Sequence, residues 1–106
     1  MYIIVKDKVI EIIPCRTFIQ QVKSLNFIIE PIDYGILIPK KRFINTYMFC
    51  QKVDICVTDK EDKIIKLYEN VKSEKIKCLW KKYNIYYLPL NTVRDLRVNE
   101  TLKKKQ

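Results

Sequence analysis

The chain has no histidine and a single glycine, Gly35, in 106 residues. Without histidine it lacks the side chain that most often serves as a general base at neutral pH and as a metal ligand. One glycine cannot build the glycine-rich loops that bring backbone amides against phosphate, which excludes a P-loop and a dinucleotide fingerprint. The four cysteines, Cys15, Cys50, Cys56 and Cys78, form no C-x-x-C pair, which removes the zinc-ribbon and thioredoxin spacings. They read as reduced, buried thiols. Cys50 and Cys56 would form a redox pair only if a turn folded them together. No apolar run reaches the roughly 20 residues of a membrane span. The apolar start, residues 1–5, meets Lys6 and Asp7 well short of the roughly 7–15 apolar residues of a signal core. These absences read as a cytoplasmic chain with no membrane span, no metal site and no cofactor.

What the chain does have is a hydrophobic content of 48% and a net charge of +9, from 21 basic and 12 acidic residues. Its length fits one domain, residues 1–102, with 103–106 as a frayed basic tail. A chain of this size buries roughly 65% of its unfolded surface, enough for one core without staples. The excess of lysine fits either a polyanion partner or a solvated surface. The lysines are spread through every segment, which favours the solvated surface.

Residues 45–68 organise the rest. They read as three strands, 44–49, 53–58 and 63–68, with a polar turn of Asp59, Lys60, Glu61 and Asp62 before the third. Val53, Ile55 and Val57 fall on one side of the middle strand, and Asp54, Cys56 and Thr58 on the other. Ahead of this stretch, 2–5 and 9–13 read as a hairpin. Phe18, Ile19, Val22 and Leu25 recur at helical spacing, with Thr17 and Gln20 placed as a capping box, and predict a helix over about 16–25. A strand over 34–38 contains Gly35, and a glycine there marks a bulge or a close backbone approach. Pro39, Lys40, Lys41 and Arg42 read as a basic turn. Later, 79–83 reads as a turn or irregular segment, 85–90 as a strand, and 92–97 as a short helical turn capped by Asn91 or Thr92.

The central stretch resembles a prokaryotic family, domain-of-unknown-function family 192. Its segment of Ile, His, Thr, two aromatics, Met and Arg is similar to Ile44-Asn45-Thr46-Tyr47-Met48-Phe49-Cys50, followed by Lys52-Val53-Asp54 where the family has Pro, an aliphatic residue and Asp. Thr17-Phe18 with Lys23-Ser24-Leu25 resembles its helix, and Gly35-Ile36-Leu37 one of its strands. Glu69-Asn70-Val71-Lys72, Leu88-Pro89-Leu90 and Val98 to Leu102 resemble its later segments. The resemblance implies a compact, mostly β, barrel-like domain with one main helix, and supplies no biochemical activity. Asn45 and Cys50 replace the family's His and Arg; Thr46 and Asp54 remain.

The expected fold is therefore α+β: a β-dominated small barrel-like or two-layer sheet, with one main helix near 16–25 and a helical turn near 92–97. The expected function is a non-catalytic binding or structural module. The alternative is a basic nucleic-acid-binding module, and the third reading an enzyme using Asp54 with Asp33 or Glu69 as its partner. Candidate binding residues are Asn45, Thr46 and Asp54. Lys40, Lys41, Arg42, Lys81 and Lys82 are candidate polyanion contacts, with Trp80, Tyr83, Tyr86 and Tyr87 as bases' stacking partners. Asp54 is expected to accept amide hydrogens from residues 50–53 rather than to act as a catalyst. The residues do not name the partner: a protein is one candidate, and nucleic acid is expected to be held only weakly and without sequence preference at low salt.

Overall fold

The computed structural model describes residues 1–6, 8–14, 34–45, 52–72 and 76–105, with the backbone alone at Asn45 and Ile76. They form seven strands: β1 (Tyr2–Val5), β2 (Lys8–Pro14), β3 (Gly35–Asn45), β4 (Val53–Thr58), β5 (Ile64–Val71), β6 (Ile76–Leu88) and β7 (Lys103–Lys105). One 3-10 turn, Val93–Asp95, lies between β6 and β7. The strands make a single sheet in the order β5-β4-β6-β3-β2-β1-β7, curled into a half-barrel.

The fold is mostly β, which overturns the α+β expectation: among the described residues no helix reaches seven residues. The helix expected over 16–25 lies outside the described residues. The expectation understated the sheet, because two basic stretches that looked like turns belong to long strands. Lys40, Lys41 and Arg42 lie inside the 11-residue β3, and residues 79–83 lie inside the 13-residue β6. The expected tail also joins the sheet: β7 pairs with β1, with Ile3 opposite Lys104.

Local chemistry accounts for the hairpins. β1 and β2 pair antiparallel across a tight connection in which Lys6 takes a left-handed φ of 57°. Between β4 and β5 the Asp59 carboxylate accepts hydrogen bonds from the amides of Glu61 at 2.9 Å and Lys63 at 3.0 Å. This is the side-chain turn chemistry that aspartate favours. Gly35 allows the close approach that its place in a strand suggests. A Cβ there would stand 2.6 Å from Ile12 Cδ1 and 2.8 Å from Leu88 Cδ2. It opens β3 where that strand pairs in parallel with β2, opposite Ile12.

All six residues of β4 are buried, so both sides of the sheet carry core at its centre. Val53, Ile55 and Val57 join Ile36, Ile38, Ile44 and Ile85 in one cluster. Cys56 joins Tyr86, Leu88, Ile3 and Ile12 in the other, on the inside of the curl. The two edges of the sheet are linked through the segment before β7. Ile64 donates to the Glu100 carbonyl at 2.8 Å, and Leu102 to the Asp62 carbonyl at 2.8 Å. The Lys104–Asp62 ion pair, at 2.7 Å, adds a side-chain link in the same place.

Candidate functional site

Two neighbouring strands gather the candidate polyanion contacts. β3 and β6 pair from Ile36 opposite Tyr87 to Asn45 opposite Ile76. β2 reaches along β3 only from Gly35 to Leu37, and β4 along β6 only from Asn84 to Leu88. Past those points β3 and β6 run on as a two-stranded ribbon without another strand beside them among the described residues. Lys40, Lys41 and Arg42 come from one strand of that ribbon, and Lys77, Lys81 and Lys82 from the other. Two clusters some forty residues apart in sequence thus meet on one ribbon, with Lys77 paired to Ile44 and turned to the Tyr68 side. The ribbon segments 39–45 and 76–83 contain no acidic residue.

The ladder is irregular at the basic residues. Lys40 has a φ of 56°, and the register shifts between Ile38 and Lys41. Lys41 pairs with Tyr83 and Phe43 with Cys78, so residues 79–82 of β6 stand opposite Arg42 alone. Such an irregularity re-aims side chains that a regular ladder would hold flat. One side of the ribbon is buried through Ile44 and Leu79. On the other side Trp80 is 76% exposed and Phe43 46% exposed. The Lys81 ammonium lies over the Trp80 ring at 5.0 Å from its centroid, and Lys77 lies over Tyr68 at 5.2 Å. Of the four aromatics expected to stack on bases, Tyr86 and Tyr87 are core residues and Tyr83 is half-buried, which leaves Trp80. Phe43, exposed on the neighbouring strand of the ribbon, escaped the sequence reading because the basic residues before it read as a turn.

Asp54 has a different place. It is 1% exposed. Its Oδ2 accepts hydrogen bonds from the amides of Thr92 at 2.8 Å and Val93 at 3.1 Å, and its Oδ1 accepts from the Asn70 amide at 2.9 Å. It therefore caps the 3-10 turn from a distant strand, while the Thr92 hydroxyl donates instead to the Pro89 carbonyl at 2.7 Å. Of the expected partners, residues 50 and 51 lie outside the described residues; the described partners are Asn70, Thr92 and Val93. Left-handed φ values at Asn70 (56°) and Asn91 (67°) help turn these amides inward, in a conformation that asparagine tolerates. Glu69 is exposed on β5, and Asp33 lies outside the described residues. Asn45 ends β3, and Thr46 and Cys50 lie outside the described residues.

A third polar group lies inside the curl. Burial raises the Tyr86 hydroxyl above its usual range, an effect the nearby Lys104 ammonium partly offsets. No partner meets that hydroxyl in hydrogen-bond geometry, nor the Thr58 hydroxyl. For Lys104 itself, burial pulls the pKa down, but its contacts with Asp62 and Tyr86 prevail and leave it raised. Burial pushes the Cys56 thiol up to about 12. Among the described residues no three metal-ligating side chains come together, and no helix is long and apolar enough to cross a membrane.

The geometry defines a small, curled β sheet with a basic, aromatic-bearing ribbon on one side. Two solved structures share that fold. One is a protein of unknown function from Novosphingobium aromaticivorans DSM 12444, with a TM-score of 0.78 at 12% identity over 97% of this chain and 82% of that one. The other is a proposed transcription regulator from Sinorhizobium meliloti 1021, with a TM-score of 0.76 at 15% identity over 96% of this chain and 88% of that one. At such identities the likeness is one of fold. No protein-family model and no curated protein matches the chain.

Proposed function

We propose that the chain is a non-catalytic binding domain, that its contact surface is the β3–β6 ribbon, and that its partner is a polyanion. The supporting observation is the meeting of Lys40, Lys41 and Arg42 with Lys77, Lys81 and Lys82 on two paired strands, without an intervening carboxylate. Six cations held on one ribbon raise the local positive potential well above what the same charges give when spread over a surface. Asp54 has its two oxygens engaged by three backbone amides, which supports a role in holding the fold rather than in chemistry. The solved neighbour described as a proposed transcription regulator accords with a polyanion partner at the level of fold. Membership of family 192, and with it a contact role for Asn45 and Thr46, stands as a proposal that rests on the order of the motifs. The exposed free thiol of Cys78 supports a reducing compartment such as the cytoplasm.

The test is elution from immobilised heparin along a salt gradient. The triple variant Arg42→Gln, Lys81→Gln, Lys82→Gln is compared with a control that neutralises three exposed lysines elsewhere: Lys8→Gln, Lys60→Gln, Lys66→Gln. Both lose the same net charge. The ribbon variant is expected to elute at clearly lower salt than the control. Equal elution of the two would refute the assignment of the ribbon.

A further inference from the structure

We infer that the polyanion is a single-stranded nucleic acid, and that a base stacks on Trp80 while the ribbon cations take the flanking phosphates. This rests on the ribbon being the contact surface and adds the class of ligand. Cations alone would serve any polyanion. The ribbon adds an indole that is 76% exposed and a phenyl ring that is 46% exposed, set among those cations. Neither ring is needed by the cores, which are closed by other residues. A large apolar ring kept in water is informative when it stands in a charged surface, because it offers a stacking plate.

The ligand must then present both phosphates and free π-faces. A duplex hides its base faces inside its own stack, and an acidic polypeptide has carboxylates but no such faces along its length. A single strand has both, and proteins that bind single strands pair a positive groove with aromatic plates. The local structure suits that role. Residues 79–82 stand opposite Arg42 alone, a register irregularity that leaves Trp80 exposed with Lys81 and Lys82 next to it in the strand. Leu79, buried in the core under the ribbon, anchors the segment. The Lys81 ammonium stands over the indole, 5.0 Å from its centroid, on a ring that is 76% exposed to a base. Phe43, opposite Cys78, offers a second plate on the neighbouring strand.

The test uses the full chain with oligo(dT)20 and oligo(U)20, a 20-base-pair duplex, and polyglutamate as competitor. Trp80 is the only tryptophan, so quenching of its emission reports contact at that ring. Anisotropy of a labelled oligonucleotide gives the affinity for all variants. The expected result is quenching by either single strand, with the stronger of the two naming DNA or RNA as the natural ligand. Trp80→Ala should weaken binding roughly tenfold or more, and Trp80→Phe less, since stacking tolerates a smaller ring. With up to five phosphates neutralised, Lys77 being turned to Tyr68, affinity should fall on the order of a hundredfold between about 50 and 200 mM salt, numbers set by the counterion release of single strands. The inference is overturned if the duplex or polyglutamate binds as tightly as the single strands, or if Trp80→Ala binds like wild type. If Trp80→Ala has no effect but the Arg42, Lys81, Lys82 variant weakens binding, stacking falls and the ribbon assignment stands. If neither variant changes binding, both fall.

Discussion

Removing the Asp54 carboxylate should unfasten the 3-10 turn from the sheet, and the cost follows from its three hydrogen bonds. The bonds from Thr92 and Val93 are buried, whereas the bond from Asn70 is part-buried. An amide left without an acceptor costs about 1–3 kcal/mol when buried, and less where water can take its place. Asp54→Ala orphans two buried donors and one part-buried donor, so the expected loss is about 4 kcal/mol. Asp54→Asn keeps the shape and one acceptor oxygen. That oxygen can serve Thr92 and Val93, but the new amino group then faces the Asn70 N–H, for a loss of about 1–2 kcal/mol. At this chain length these figures correspond to falls in Tm of roughly 15 °C and 5 °C. Urea titration followed by far-ultraviolet circular dichroism measures both, with an unchanged slope confirming that the difference lies in stability. Faster hydrogen exchange at Thr92 and Val93 should accompany the loss. An Asp54→Ala variant with the wild-type midpoint, or an Asn variant as unstable as the Ala variant, would refute this account of the residue.

Under native conditions a thiol reagent should modify Cys78, which is exposed, and spare Cys56, which is buried with its pKa pushed up to about 12. Peptide mass mapping after brief alkylation at pH 8 reads both sites, and early modification of Cys56 would contradict its placement. Alkaline pH should destabilise the protein through Tyr86 and Lys104, since both hold their protons more tightly when folded than the ordinary values of 10.0 and 10.5. Stability linked to a raised pKa is intact below the unfolded value and is lost as pH rises through the folded one. The thermal midpoint should therefore drop above about pH 10, less steeply in Tyr86→Phe, while at pH 7 that variant stays within about 1 kcal/mol of wild type because the hydroxyl has no hydrogen-bond partner. Parallel pH profiles for the two proteins would show that Tyr86 does not carry the effect.

Features set by neighbours in sequence were legible, and features set by distant pairing were not. The hairpin of β1 and β2, the Asp59 turn and the close approach at Gly35 each depend on a few adjacent residues whose turn or steric preferences are strong. Asp54 stood out as a carboxylate in an apolar strand, and that it accepts backbone amide hydrogens was expected from the residues. Its partners were not, because Thr92 and Val93 are 38 and 39 residues away and nothing local ties them to β4. The basic clusters were misread for a related reason. Pro39 and the following Lys-Lys-Arg break apolar alternation, as do Trp80, Lys81 and Lys82, and a break in alternation looks like a turn. Here it marks an irregular ladder: the strands continue through the break with a left-handed residue at Lys40 and extra residues in β6. The same pairing brings scattered lysines onto one ribbon. Only the register of β3 against β6 could reveal that, and register between strands some forty residues apart is not written in either one.

The ribbon surface is tested most directly by nuclear magnetic resonance with 15N-labelled protein titrated with oligo(dT)20, residue by residue. The largest shift changes should fall at residues 40–43 and 77–82, including the single indole N–H of Trp80, and should fade as salt is raised. Shift changes centred on the Lys103–Lys105 edge, or spread evenly over all exposed lysines with the Trp80 indole signal unmoved, would contradict the account.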